Sequence, residues 1–335
     1  MPALRHAARR LAALGLALAL GLAAGCDHAT EPDGPNLVDR FGDFAILDSL
    51  GAERAAVDFA AGEAVTFTGR FNKQVAWVIE VTGDSSGAVK RIEGFSAELT
   101  ADDATWDGGT TELPLFKDEP VTAALFVPEE MSDTSFVSLD VLTPREYPGV
   151  VIADFEGGDA LSVFNPEFEF AFNGVTDEVP PAQGDGFLLL RGTDDVVANN
   201  FFIGTVTIRP ADGDVFEVPT TIPEELYFNC FLRGFGTANT IAVVELVIDG
   251  QNVVLGTDVE FPNLGVIDFE GWQPYSEPAS SFGRFGAGVS SDQLQRISAV
   301  NVVLISDANA QPTPPLEVEY GIDYLTFTAG GPLQP

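Results

Sequence analysis

The stretch Phe168-Glu169-Phe170-Ala171-Phe172 sets three aromatic rings at every second position. In an extended chain successive side chains point to opposite faces, so the rings share one face and Glu169 and Ala171 share the other. A helix would scatter them, and the shared face reads as core. Working outward in both directions, helical periodicity is scarce, while short alternating segments bounded by Gly, Pro, Asn and Asp recur throughout. The chain is predicted to be all-β.

After its first 42 residues the chain is too long for one ordinary sandwich, which points to two domains, each able to bury a core. The break is placed at Thr143-Pro144-Arg145-Glu146-Tyr147-Pro148-Gly149, where two prolines separate two strand patterns. Before it, segments such as Ala64 to Phe71, Val75 to Val81, Val121 to Val127 and Phe136 to Leu142 give residues 43–146 the pattern of an immunoglobulin-like sandwich. With no cysteine pair there, the antibody type is excluded. Trp77, inside Val75-Ala76-Trp77-Val78-Ile79, is expected in the core, and Trp106, in a turn-like context, is expected nearer the surface. Residues 150–328 carry eight or more strand patterns, including Ala242 to Ile248 and Ala299 to Ile305, and suit a jelly roll.

The amino terminus reads as an export leader. Arg5, Arg9 and Arg10 precede an acid-free apolar run from Leu11 to Ala24, too short for a membrane span, and Leu22-Ala23-Ala24-Gly25-Cys26 resembles a bacterial lipoprotein box. Residues 1–25 are then a signal peptide and Cys26 the acylated first residue, anchored to a membrane through its lipid. An ordinary signal peptidase site is the alternative. Residues 26–42, with Glu31-Pro32-Asp33-Gly34-Pro35-Asn36, have little to bury and read as a flexible tether. The expected location is the cell envelope, at the outer membrane or cell surface in preference to the inner membrane.

Charge and histidine content exclude whole classes of function. The formal charge of −35 becomes −38 once three leader arginines are removed, a surface that repels nucleic acid. Only three of the sixteen cations are lysines, a composition that suits a halophilic source, although a calcium-rich or merely acidic secreted protein reads the same way. His6 lies in the leader and His28 in the tether, so the body has no histidine for a Ser-His-Asp system or a zinc site. Cys230 sits in the uncharged run Leu226-Tyr227-Phe228-Asn229-Cys230-Phe231-Leu232 and reads as a small core residue. No phosphate-binding loop or dinucleotide fingerprint is present.

The second domain also carries a resemblance. Val151-Ile152-Ala153-Asp154-Phe155-Glu156-Gly157-Gly158, the closing segment Tyr320-Gly321-Ile322-Asp323-Tyr324-Leu325-Thr326-Phe327, and Gly271-Trp272-Gln273-Pro274-Tyr275 with Phe282-Gly283 between them are similar to galactose-binding-like jelly rolls of the carbohydrate-binding-module type. Leu325 stands where that family has Ile. The resemblance implies a structural calcium where first and last strands meet, held by Asp154, Glu156 and Asp323 with backbone carbonyls. The same carboxylates also read as solvated strand ends.

It further implies glycan binding. Trp272 and Tyr275 are the stacking candidates, with Arg191, Asn199, Asn200 and Arg284 as polar neighbours. Both rings read equally as core. The function expected is non-catalytic retention of a polysaccharide or other glycan at the envelope, without an enzyme activity. A structural or adhesive protein with an envelope protein partner is the alternative, and a carboxylate glycoside hydrolase a weaker one.

Overall fold

The computed structural model describes residues 43–128, 130, 135–164, 172–194, 202–236, 240–255, 265–284, 287–306 and 316–335. The leader, Cys26, the tether, Phe168 to Ala171, Asn199 and Asn200 lie outside them. From Ala45 to Pro335 the chain forms one compact unit built from two β bodies. Among the described residues no helix is long and apolar enough to cross a membrane.

The first body holds β1 (Ile46–Ala52), β2 (Ala56–Asp58), β3 (Val65–Gly83), β4 (Val89–Leu99), β5 (Thr105–Trp106), β6 (Pro120–Phe126) and β7 (Ser135–Thr143). Its order is β1-β3-β6-β7-β2, with β4 and β5 also on β3; β2 runs parallel to β7. The sequence suggests two strands around Asn72-Lys73-Gln74, but nothing there forces a turn, and β3 runs unbroken through both. Except at Lys73, every second residue of β3 is buried, from Val65 through Phe67, Phe71, Val75, Trp77 and Ile79 to Val81. A register shift against β4 between Arg70 and Val75 absorbs the bend. The sheet curls until Leu50 N donates to Ser135 Oγ at 2.9 Å, bringing β1 back beside β7.

Trp77 fills the core as expected, its Nε1 donating to Ser96 Oγ at 2.9 Å. Trp106 does not lie near the surface: it is fully buried, donates from Nε1 to Gly109 O at 2.9 Å, and sits edge-on between Phe59 and Phe116. The loop polarity around it is deceptive because the turn folds over the ring.

The second body contains β8 (Val150–Ala153), β9 (Ala160–Phe164), β10 (Phe172–Thr176), β11 (Phe187–Asp194), β12 (Phe202–Arg209), β13 (Leu226–Phe235), β14 (Thr240–Ile248), β15 (Gln251–Leu255), β16 (Gly265–Val266), β17 (Glu270–Pro278), β18 (Phe282–Arg284), β19 (Ala287–Gly288), β20 (Ile297–Ser306) and β21 (Leu316–Ala329). They form a six-stranded sheet, β10-β11-β21-β13-β17 with β8 on β21, and an eight-stranded sheet, β19-β18-β15-β14-β20-β12-β9 with β16 on β14. Leu188, Phe228, Cys230, Tyr320 and Phe327 from the first meet Val206, Val244, Leu246, Val302 and Leu304 from the second in one core. This all-β jelly-roll sandwich matches the predicted class. Burial of the Cys230 thiol raises its pKa, which fits a packing residue.

Candidate functional site

Strand periodicity separates the two stacking candidates. Both lie on β17, where Trp272 pairs with Arg233 and Tyr275 with Cys230 on β13. Three positions apart on a strand means opposite faces. Tyr275 packs against the sandwich core, and burial pushes its phenol well above the usual range. Trp272 faces outward, half-buried: its Nε1 donates to Pro180 O at 2.8 Å, Phe187 meets it edge-on at 5.2 Å, and the Arg233 guanidinium lies 5.7 Å from its ring centre. The two rings therefore share no platform. Trp272 instead borders a cavity of about 460 Å³ together with Thr110, Glu112 and Leu113 of the first body.

Of the polar candidates, Arg191 is the one whose side chain is described. Arg191 is engaged by Glu319 (2.7 Å) and Glu178 (3.2 Å), and the Glu319 hydrogen bond raises its pKa further. Arg284 is placed only by its backbone, at the end of β18.

A different set converges on the outer face of the eight-stranded sheet. Register aligns Glu245 of β14 with Asn301 of β20, Asn301 with Thr207 of β12, and Thr207 with Ser162 of β9. The four side chains cross the sheet in one row. Glu245 Oε2 accepts from Asn252 Nδ2 (2.6 Å) and Asn301 Nδ2 (3.0 Å), Thr207 Oγ1 donates to Asn301 Oδ1 (2.8 Å), and Arg209 Nη1 donates to Ser162 Oγ (2.9 Å). Thr207, Arg209, Asp214, Asn252 and Asn301 line a cavity of about 440 Å³.

Beyond the row, toward the other end of the same strands, Ile241, Val243, Val303, Phe202 and Ile305 form an apolar cluster, and Phe164, 59% exposed, lies 6.4 Å from Phe202. Ile241, Val243 and Val303 are themselves buried, so the ring open to a ligand beside the polar row is that of Phe164. Amides, a carboxylate and a guanidinium near an exposed aromatic ring are groups that hold sugar hydroxyls while covering a ring face. One signal marked this site in the sequence: Glu245 and Asn301 interrupt the apolar runs Ile241 to Ile248 and Ala299 to Ile305. Which face was core had to be known before that signal could be read.

The three acids expected to hold calcium lie at the junction of β8 and β21. Asp323 is fully buried; its Oδ2 accepts from Gln183 N (2.9 Å) and its Oδ1 from Tyr324 N (2.8 Å). Burial pushes its carboxyl well above the ordinary range, neighbouring Glu156 adds to the rise, and the backbone donors oppose it. Glu156 Oε1 accepts from Asp185 N (2.7 Å) and Gly186 N (3.1 Å), whereas Asp154 Oδ1 caps Glu156 N (3.2 Å). Among the described residues no three acidic, histidine or cysteine side chains converge on one point. Gln183 Oε1, however, is buried with no partner. Glu156, Asp323 and the Gln183 amide oxygen lie on neighbouring segments at this junction and offer only oxygen donors, the kind a hard cation takes.

No protein-family model matches the sequence, and no curated protein matches it. Among solved structures, it is similar to SGBP-B from a complex xyloglucan utilization locus in Bacteroides uniformis (15% identity, 85% of this chain and 73% of that one, TM-score 0.38). It is also similar to carbohydrate-binding modules from the beta-sandwich super family (12%, 85% and 98%, TM-score 0.34). A family 11 module from Clostridium thermocellum in complex with a beta-1,3-1,4-mixed-linked tetrasaccharide is a third (14%, 54% and 95%, TM-score 0.33). At such values the functional argument rests on the site itself.

Proposed function

We propose that this chain is a non-catalytic glycan-binding protein of the cell envelope, tethered through an acylated Cys26, with its ligand lying across the outer face of the eight-stranded sheet. The row Glu245, Asn301, Thr207 and Ser162 beside the Phe164 and Phe202 rings carries the reading. The −38 charge of the chain without its leader favours a neutral polysaccharide over an anionic one. Glu156, Asp323 and the Gln183 amide oxygen would hold a calcium ion, which would offset the repulsion between the two carboxylates and stabilise the fold by binding only the folded state.

The test is binding to a panel of neutral glycans by calorimetry, together with an assay for released reducing sugar. Asn301→Ala, whose amide joins Thr207 to Glu245, should weaken binding about tenfold, the equivalent of ~1.4 kcal/mol. Tyr275→Phe, on the core face, should leave binding unchanged. Binding that ignores Asn301→Ala removes the proposed face, and turnover of a glycan removes the non-catalytic reading.

A further inference from the structure

Strand β4, 11 residues long, is an edge of the first body. It pairs with β3 on one side; on the other, among the described residues, it is met only at its start. There Val89 O accepts from Thr111 N (2.8 Å) and Glu112 N (3.2 Å), and Arg91 N donates to Thr111 Oγ1 (3.0 Å). In an antiparallel ladder the residues whose backbone groups turn away from the paired strand alternate. Val89 and Arg91 turn outward, so the next to do so are Glu93 and Phe95. No described residue pairs with their outward N–H and C=O groups, and an open edge of this length is a template for another strand.

The face beside this edge is apolar as well. Register sets Phe95 opposite Ala76, Val78 opposite Phe126, and Ala124 opposite Phe136, so all six lie on the outer face of β4-β3-β6-β7, away from buried Trp77, Ile79 and Val81. Phe95 is 68% exposed and Phe136 61%, the two highest values among the large apolar side chains described. Exposed rings gathered on one face of a strongly charged chain mark a surface of association.

Charge along the strand selects the occupant. Lys90 and Arg91 stand at one end and Glu98 at the other. Among the described residues Lys90 and Glu98 make no ion pair, and those of Arg91 are long, 3.8 Å to Glu80 and 3.7 Å to Glu93. We propose that the protein forms a two-fold dimer in which β4 pairs antiparallel with β4 of a second copy, centred near Gly94, so that the two first bodies share one continuous sheet. Lys90 and Glu98 are equally distant from Gly94 along the strand, so the basic end of each copy meets Glu98 of the other. A parallel pairing would set like charges together. The two Phe95 rings become diagonal neighbours on one face, within reach of each other, and the symmetry makes every contact twice. Repulsion between two chains of −38 opposes the pairing, but at about 0.15 M salt it is screened beyond roughly 8 Å, whereas groups in contact still feel one another. The dimer carries two copies of the second body, and so two glycan faces.

The test is sedimentation equilibrium of the full-length chain at about 0.15 M NaCl, in density-matched detergent with micelles in large excess so that two anchors do not share one. The expected result is a reversible monomer–dimer equilibrium. Phe95→Ala should raise its dissociation constant about tenfold, since the lost cross-strand contact occurs twice. Glu98→Lys separates pairing from net charge: it reduces the repulsion between copies but removes the partner of Lys90 and Arg91, so the dimer should weaken, again about tenfold. Both side chains are exposed, and near-ultraviolet circular dichroism checks that each variant is folded. A dimer that ignores Phe95→Ala, or that Glu98→Lys strengthens, overturns the proposal. A monomer at every concentration overturns it too and leaves the edge to an extended segment of another protein. Glycan binding by that monomer would leave the proposed function standing.

Discussion

At the scale of single residues, Glu119 is the clearest case of a charge bound into the fold. The carboxylate is almost fully buried, and it accepts from Ser85 N (2.7 Å), Ser85 Oγ (2.8 Å), Ser86 N (2.8 Å), Lys117 N (3.1 Å) and the Ser86 hydroxyl. Burial alone would raise its pKa; the hydrogen bonds from Ser86 and Ser85 outweigh burial and hold it below the usual 4.5. A folded-state pKa below the unfolded value gives stability that is present above that value and lost as pH falls through the folded one. Glu119→Gln should therefore cost about 1.5–3 kcal/mol at pH 7, the range for hydrogen bonds to a charged group. The gap between the two proteins should close as the pH is lowered below about 4 in urea titrations. A gap that stays constant with pH would mean the charge plays no part. Trp77 could be placed from sequence because its strand alternates, whereas Trp106 could not, since its burial comes from Phe59, far back in the chain, and from Phe116, beyond the turn that follows it.

At the scale of elements, periodicity and pairing carry different information. Alternation along β3 predicts a buried face, but only pairing reveals that Gly94 of β4 lies opposite Trp77. A Cβ at Gly94 would stand 2.2 Å from Trp77 Cζ2, so the glycine makes the space the ring occupies. Gly94→Ala should destabilise the protein by about 1–3 kcal/mol, the usual cost of overpacking, visible as a lower urea midpoint. Trp77→Phe in the same background should recover part of the loss, and absence of that coupling would show that the clash is relieved elsewhere. The same distinction explains the candidate site. Trp272 and Tyr275 are three residues apart, a spacing that separates them in any strand, and the resemblance drew attention to both without resolving their faces. Glu245 and Asn301 are 56 residues apart in sequence and meet only through the register of β14 with β20.

At the scale of the whole molecule, the dominant force beyond packing is self-repulsion. A net charge of −35 spread over one chain raises the free energy of the compact state, because unfolding moves like charges apart. The described ion pairs, such as Arg70 with Asp48 and Arg296 with Asp249, are mostly exposed, and each contributes at most about 1 kcal/mol. Salt acts on these terms in opposite directions, weakening surface pairs and repulsion alike, and the excess of acids decides the sign. Screening length falls from roughly 30 Å at 0.01 M to roughly 3 Å at 1 M salt, so repulsion between acids on different strands is largely removed over that range. The urea midpoint should therefore rise steadily from about 0.01 M to about 1 M NaCl. The rise should appear equally with KCl, since screening depends on ionic strength and not on the identity of the cation. It should persist in EGTA, which separates it from occupancy of the Glu156 and Asp323 pair. A midpoint that is flat or falls with NaCl would show that the acids are compensated locally and that composition misstates the electrostatics of the folded chain.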